Sequence, residues 1–585
     1  MFSENKQHLQ AGLYSQVNQL PEKYRQRLEE SWAGVFYREF FSRIQERRLA
    51  VLYAEIPSRP NVAVNVLLGL EALKAGFGWS DTELYEHFLF DLQVRYALGL
   101  HDFASGDFEL RTLYNFRQRL RRYRAEHGVN LVQEALALIT DQQLVAFQVR
   151  TQMQRMDSTQ IASNIADASR LQLVVEGVQR LVRLLTAAEQ ARYGEVLTPY
   201  ATNTAEQVVY RVKGRAATQT HLATLGGLLH RLLCDLAPSQ ATAPAYQAVQ
   251  QLFADNFRLE AAGVEVKAHA EIGAASLQSL DDLEASFRRK GDQSYKGYVA
   301  NVTETCDPAN PLQLITQIQV APNCVDDAAL LVEVLPELCQ RTQLATLYTD
   351  GGYGSPQADV QLCQAQVTQI QTGLRGKAPD PDKLNLADFV ITQAADGKPL
   401  SLTCPAGQCV PAEPGVSTGF VARFAAQTCQ PCALASRCRA VPAKRQAVHV
   451  LSFTQQEVFW AQRRRRYRAQ QQAPHNPRSA IEATIRSLKH AFPSGKLPVR
   501  GRFRMTCMLV LAAAMSNIRA IHRYLTTRRP SNHPTTPDPF PLQTLSAALR
   551  RLLTALFWPV QPFHPFTHNF RPRLPGRLFP VPSSA

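Results

Sequence analysis

Arg150–Ile165, RTQMQRMDSTQIASNI, alternates apolar and polar side chains and reads as a strand carrying Asp157 in its interior. A carboxylate buried in such a strand is costly without a partner, and a metal ion is the partner that suits it. Two further acids have comparable settings. Ala345–Ser355, ATLYTDGGYGS, is a short β-rich run closed by Asp350, with glycines marking the turn that leaves the strand. Arg478–Phe492, RSAIEATIRSLKHAF, reads as a helix in which Glu482 lies between Arg478 and Lys489. At about 100° per residue these three side chains fall within roughly 40° of one another, on one face. Carboxylates from two strands and a helix suit hard, oxygen-seeking cations such as Mg²⁺, with Mn²⁺ able to substitute. Two such ions about 3.5–4 Å apart can activate water or a 3′-hydroxyl and stabilise the leaving oxygen of a phosphodiester.

Around the acids the patterning is that of an α/β chain. Strand signals at Tyr295–Glu304 and Gln313–Val320 precede a helix at about 326–340, capped by Asp326 or Asp327, and then the Asp350 strand. Residues 168–290 interrupt the strands with helical patterns such as LQLVVEGVQRLVRLLTAAEQARY. Ser158 and Thr159 read as ordinary strand residues, while Tyr353 suits either the core or a DNA contact. Residues 503–525 give one more apolar helix, suited to packing beneath the Glu482 helix.

The chain of 585 residues is too long for one core, and roughly three or four domains are expected. Residues 1–57 carry a helical period, and 58–144 hold a helix, a GFGW break, a Ser80/Glu83 capping box with a Trp79/Leu84 staple, and an arginine-studded helix at about 110–126. The opening decapeptide, MFSENKQHLQ, is polar, and the most apolar run, Met508–Met515, falls far short of the roughly 20 residues that cross a bilayer. The expectation is a soluble cytoplasmic protein with no membrane partner.

Net charge is +15, and residues 461–585 alone sum to +19. Such a basic stretch around and after the third acid favours a polyanionic partner, bound less tightly as salt rises. Arg117 and Arg121 of the arginine-studded helix, Arg463 and Arg464 of the RRRRYR run, and Arg478 and Lys489 beside Glu482 are the candidate contacts to double-stranded DNA. Residues 526–585, rich in Pro, His and Arg, read as a disordered basic tail.

Five of the 11 cysteines cluster within residues 401–440: Cys404, Cys409, Cys429, Cys432 and Cys438. The C-x4-C and C-x2-C-x5-C knuckles predict a structural zinc site. Cys404, Cys409, Cys429 and Cys432 are the favoured ligands, with Cys438 able to substitute.

The order strand-Asp, strand-Asp-Gly-x-Tyr, then Arg-x3-Glu-x6-Lys on a helix resembles the DDE transposases of bacterial insertion sequences. The resemblance runs from about Ile56 to about Leu525; where the family has a Tyr three residues before the Arg, this chain has His475. It implies Asp157, Asp350 and Glu482 as catalytic ligands of two Mg²⁺, recognition of the element's ends by the N-terminal helices, and a homodimer on paired ends in the bacterial nucleoid. It also implies an RNase H-like, mixed-sheet catalytic domain over 145–167, 291–400 and 470–525, split by a helical insertion at 168–290 and a Cys-rich insert at 401–440. A metal-dependent nuclease without strand transfer, or an inactive DNA-binding regulator, would use the same scaffold.

Overall fold

A computed structural model describes residues 2–528, apart from 10–14, 55–59, 104, 262, 377, 395, 416–418 and 473–475. The fold is mixed α/β. Strand β1, Met153–Ala162, is followed by a mostly helical stretch, Arg170–Asn256, and a hairpin of β2, Phe257–Glu260, and β3, Gly263–Val266. This stretch has its own apolar core, built on Leu171, Val178, Leu225, Leu229, Leu232, Val249 and Leu252. The chain then returns to β1 through β4, Ser286–Lys290, β5, Gln293–Thr305, and β6, Ile315–Pro322. After the helix Asp327–Arg341 come β7, Thr346–Thr349, and β8, Thr368–Gln371.

These strands form one six-stranded sheet in the order β4-β5-β1-β7-β8. The far edge of β5 is shared, β4 pairing with its first residues and β6 with the rest. β5 runs antiparallel to β1, whereas β7 and β8 run parallel to it. Successive side chains point to opposite faces of a strand, so Met156 packs on one face with Leu331, Leu335, Leu338 and Leu347, while Arg155 and Asp157 share the other. The long helix Arg502–Thr527 fits a bilayer by length and composition, but it packs into the core through Met505, Leu509, Met515, Ile518 and Ile521. This is the core helix expected at 503–525.

The segment around the cysteines is larger than the sequence suggests. β9, Val390–Gln393, β10, Pro399–Thr403, β11, Cys409–Pro414, β12, Gly419–Ala425, β13, Val441–Pro442, and β14, Val448–Thr454, form a second six-stranded sheet in the order β13-β14-β12-β11-β10-β9. Its core of Phe389, Leu402, Phe424, Leu451 and Phe453 is completed by Val458 from the helix Gln455–Gln471. The basic run RRRRYR is part of that helix.

The N-terminal helices include Val64–Phe77, Asp81–Phe90 and Leu110–His127, and the expected capping box of Ser80 and Glu83 is present. Trp79 stacks on Phe77 and His87, and Leu84 is buried. Arg117 joins all three helices: its guanidinium donates to Glu71 at 2.6 Å and to Asp81 at 2.6 and 2.9 Å, and Lys74 donates to Asp81 at 2.6 Å. Burial pushes the Asp81 carboxyl up, but the bonds and charges of Arg117 and Lys74 outweigh this and hold it at about 2. A carboxylate so depressed stabilises the fold above its unfolded value near 3.8, and the contribution is lost as pH falls toward 2. Asp81→Asn is expected to cost about 2 kcal/mol at pH 7 and almost nothing near pH 2, as read by urea unfolding.

Candidate active site

β1 and β7 are parallel neighbours with Arg155 beside Tyr348, so carrying the register on by two residues sets Asp157 beside Asp350. Asp350 leaves the strand as the cap of a single 3-10 turn, accepting from the Gly352 N–H at 2.7 Å. A Cβ on Gly352 would stand 2.7 Å from Asp327 Oδ2 and 2.8 Å from Asp350 Oδ1, so a larger residue there would displace both carboxylates. Tyr353 is fully buried and donates to Asn301 at 2.7 Å, so it belongs to the core. Burial, with the charges of Asp327, Asp157 and Asp350, pushes its phenol well above the usual range.

Asp157 is 9% exposed. Burial raises its carboxyl, the adjacent Arg478 lowers it, and Asp350 raises it again. Arg478 Nη2 donates to Asp157 Oδ2 at 2.8 Å and Nη1 lies 3.8 Å from Glu482 Oε1, so one guanidinium spans the two acids. The Glu482 side chain is 65% exposed and is linked to Asp157 through Arg478. Lys489, on the same helix face, is half-buried, which lowers its ammonium. His475 lies outside the described residues.

Side chains that the sequence does not single out support these acids. Asp327, read as a possible helix cap, is buried; it accepts from Ser158 at 2.8 Å across the opposite face of β1 and lies against the Gly352 turn. Arg375 pairs with Asp326 at 3.1 Å beside it. On the Asp157 face, Arg155 pairs with Glu304 directly across the strands at 2.6 Å, and Thr484 of the Glu482 helix donates to both Glu304 oxygens at 3.0 Å. The one sequence signal for this network was the two-residue spacing of Arg155 and Asp157, which puts both on one face.

Several expected contacts lie elsewhere. Arg117 is taken up by Glu71 and Asp81. Arg463 is buried against Asp359 at 3.1 Å, and Arg464 is buried with its guanidinium 4.6 Å from the Trp460 ring centre. Burial raises Asp359 to about 6 despite Arg463 and Arg466. Of the run, only Arg468 is exposed, and it pairs with Asp388. Acids and an aromatic ring distant in sequence thus already engage Arg117, Arg463 and Arg464 in the DNA-free chain. Arg121 is exposed on the Leu110–His127 helix.

The zinc expectation fares similarly. Among the described residues no group of three or more His, Cys, Asp or Glu side chains is arranged to hold a metal ion. Cys404, Cys429 and Cys438 pack against the apolar core of the second sheet, and Cys409 is exposed on β11. Burial and the neighbouring Cys438, Cys404 and Cys432 push the Cys429 thiol up, so four of the five cysteines lie near one another beside the second sheet.

The same absence holds for the three acids as they stand, but their donor chemistry suits a hard divalent cation: Asp157 and Asp350 are electrostatic neighbours, and the Arg478 guanidinium balances the Asp157 charge. Residues 403–522 match a family model described as a transposase DDE domain, which supports a DDE transposase. The matched stretch contains Arg478, Glu482 and Lys489, while Asp157 and Asp350 precede it. No curated protein and no solved structure matches the chain.

Proposed function

We propose that the chain is a DDE transposase of a bacterial insertion sequence, acting on double-stranded DNA in the cytoplasm. It nicks the ends of its element and joins the freed 3′-hydroxyl to target DNA. The observation that carries this reading is Asp157 beside Asp350, with Arg478 linking Asp157 to Glu482 on the helix. The strand order supports an RNase H-like sheet: three antiparallel strands, β1, β5 and β6, flanked by the parallel β7 and β8.

Asp157, Asp350 and Glu482 would hold two Mg²⁺, which supply a water made nucleophilic near neutral pH and charge stabilisation on the leaving oxygen. The chain's own groups do the rest. Arg478 keeps the buried Asp157 charge balanced in the DNA-free protein, and its Nε is buried without a hydrogen-bond partner. A phosphate arriving beside Glu482 gives that guanidinium a bidentate partner. Lys489 adds a point charge on the same face. Both displacements are in-line at phosphorus, so one site serves both, and paired ends call for two copies of the chain.

The test is cleavage of the DNA flanking the gene in Mg²⁺ by wild type and Glu482→Gln. Metal-dependent nicking at a defined end, lost in the variant while DNA binding survives, is the expected result. Cleavage without joining would point to a nuclease, and binding without cleavage by either protein to a DNA-binding regulator. Arg121→Ala is expected to flatten the salt dependence of DNA affinity by about one unit of log K against log salt. Arg463→Ala should leave that slope unchanged and lower the melting temperature, as fluorescence anisotropy and thermal unfolding would show.

A further inference from the structure

The helix Ile481–His490 reaches the sheet through Ile481 and Leu488, which are buried, and the partly buried Ile485. Apolar contacts of this kind are non-directional, so they define the rotation of the helix less sharply than a hydrogen bond to a fixed acceptor does. Thr484 stands among them as a polar side chain, and it donates to Glu304 Oε1 and Oε2 at 3.0 Å. Glu304 is held by Arg155 Nε and Nη2 at 2.8 and 2.6 Å, so its carboxylate has a fixed direction. Arg155 Nη1 also donates to the Pro477 carbonyl at 2.9 Å, tying down the turn that carries Arg478. Two residues along a helix is about 200° of rotation. With Thr484 aimed into the sheet, Glu482 is held on the opposite, outward side, in line with Arg478 and Lys489.

We propose that Glu304 and Thr484 form a latch that sets the rotation of this helix, making them positioning residues for Glu482. The proposal rests on the transposase reading for its consequence, since it is the metal-holding acid that the latch aims. Arg155 and Glu304 bond directly across β1 and β5, and Asp157 is two residues along β1 on the same face. The latch therefore refers Glu482 to the very strand that carries the first aspartate. A misplacement of about 1 Å at a reacting centre costs on the order of 10²-fold in rate, whereas the protein as a whole keeps its apolar anchors.

Thr484→Val in the full chain removes the donor at nearly constant shape, and Thr484→Ser restores it. Two readouts are needed: binding of Mn²⁺, followed by electron paramagnetic resonance, and nicking of flanking DNA against Mg²⁺ concentration. Thr484→Val is expected to weaken Mn²⁺ binding about tenfold, raise the Mg²⁺ midpoint and slow nicking by about 10²-fold. Thr484→Ser should resemble wild type, and DNA affinity in Ca²⁺ and the melting temperature should stay close to wild type in both. Unchanged Mn²⁺ binding and an unchanged Mg²⁺ midpoint in Thr484→Val would overturn the latch, as would parallel losses of melting temperature and DNA binding. If wild type binds Mn²⁺ yet nicks nothing, the transposase reading falls, and the latch is judged on Mn²⁺ binding alone. If wild type binds no Mn²⁺, both fall.

Discussion

Asp157→Asn is expected to lower Mg²⁺-dependent nicking by at least about 10²–10³-fold, the scale of removing one preorganised electrostatic partner, without unfolding the protein. The substitution keeps the shape of the side chain, and the amide oxygen can still accept from Arg478, so the 2.8 Å contact has a successor. What it removes is the charge, in a place where burial makes charge expensive. Burial, the largest influence on Asp157, raises its carboxyl, and the net direction is upward even with Arg478 alongside. A carboxyl raised in the folded state contributes its stability below the unfolded value of 3.8 and loses it as pH rises through the folded one. At pH 7 the native carboxylate is therefore a net cost, and the neutral amide is expected to leave the melting temperature equal or slightly higher. That difference should close on going to pH 4. A residue kept charged at a cost in stability is a signature of function. Retention of more than a tenth of the nicking rate by Asp157→Asn would place the chemistry elsewhere.

The acids were legible because each lay in a local pattern that fixes its element: alternation around Asp157, glycines after Asp350, and helical spacing from Arg478 to Lys489. Their neighbourhood was less so, because it is made by contacts far apart in the chain. Asp327 looks like a helix cap until Ser158 is seen to donate to it across β1. The run RRRRYR looks like a surface until Asp359 meets Arg463 and Trp460 covers Arg464. Charge runs usually face water because burying an ion is costly, and a partner in another element reverses that rule without leaving a mark nearby. The second sheet is illegible in the sequence for another reason. Its strands are short, they span Val390–Thr454, and their partly exposed faces dilute the alternation that would announce them. Four of the five clustered cysteines lie outside the strands, and Cys409 begins β11, so their spacing does not trace the sheet.

Arg155→Met carries the largest expected effect on stability, a loss of about 3–5 kcal/mol, the scale of breaking a buried ion pair from one side. Both partners are nearly covered, with side-chain exposures of 9% and 8%. Removing Arg155 leaves the Glu304 carboxylate in the interior with Thr484 as its remaining donor. Burial already raises Glu304, and Arg155 is the first group opposing it. Without that guanidinium the acid is expected to take up a proton on folding. A group raised in this way favours the fold below its unfolded value of 4.5 and disfavors it as pH climbs. The destabilisation in Arg155→Met should thus be greatest near pH 8 and shrink toward pH 5, as urea unfolding at the two values would show. The double variant Arg155→Met/Glu304→Leu removes both charges and is expected to recover much of the loss, because apolar replacement of a whole buried pair is often close to neutral. Its nicking should nevertheless stay low, since Thr484 has lost its acceptor and the Pro477 carbonyl its donor. A double variant that is stable but inactive would separate what the pair does for the fold from what it does for the site; full activity would mean that apolar packing alone aims Glu482.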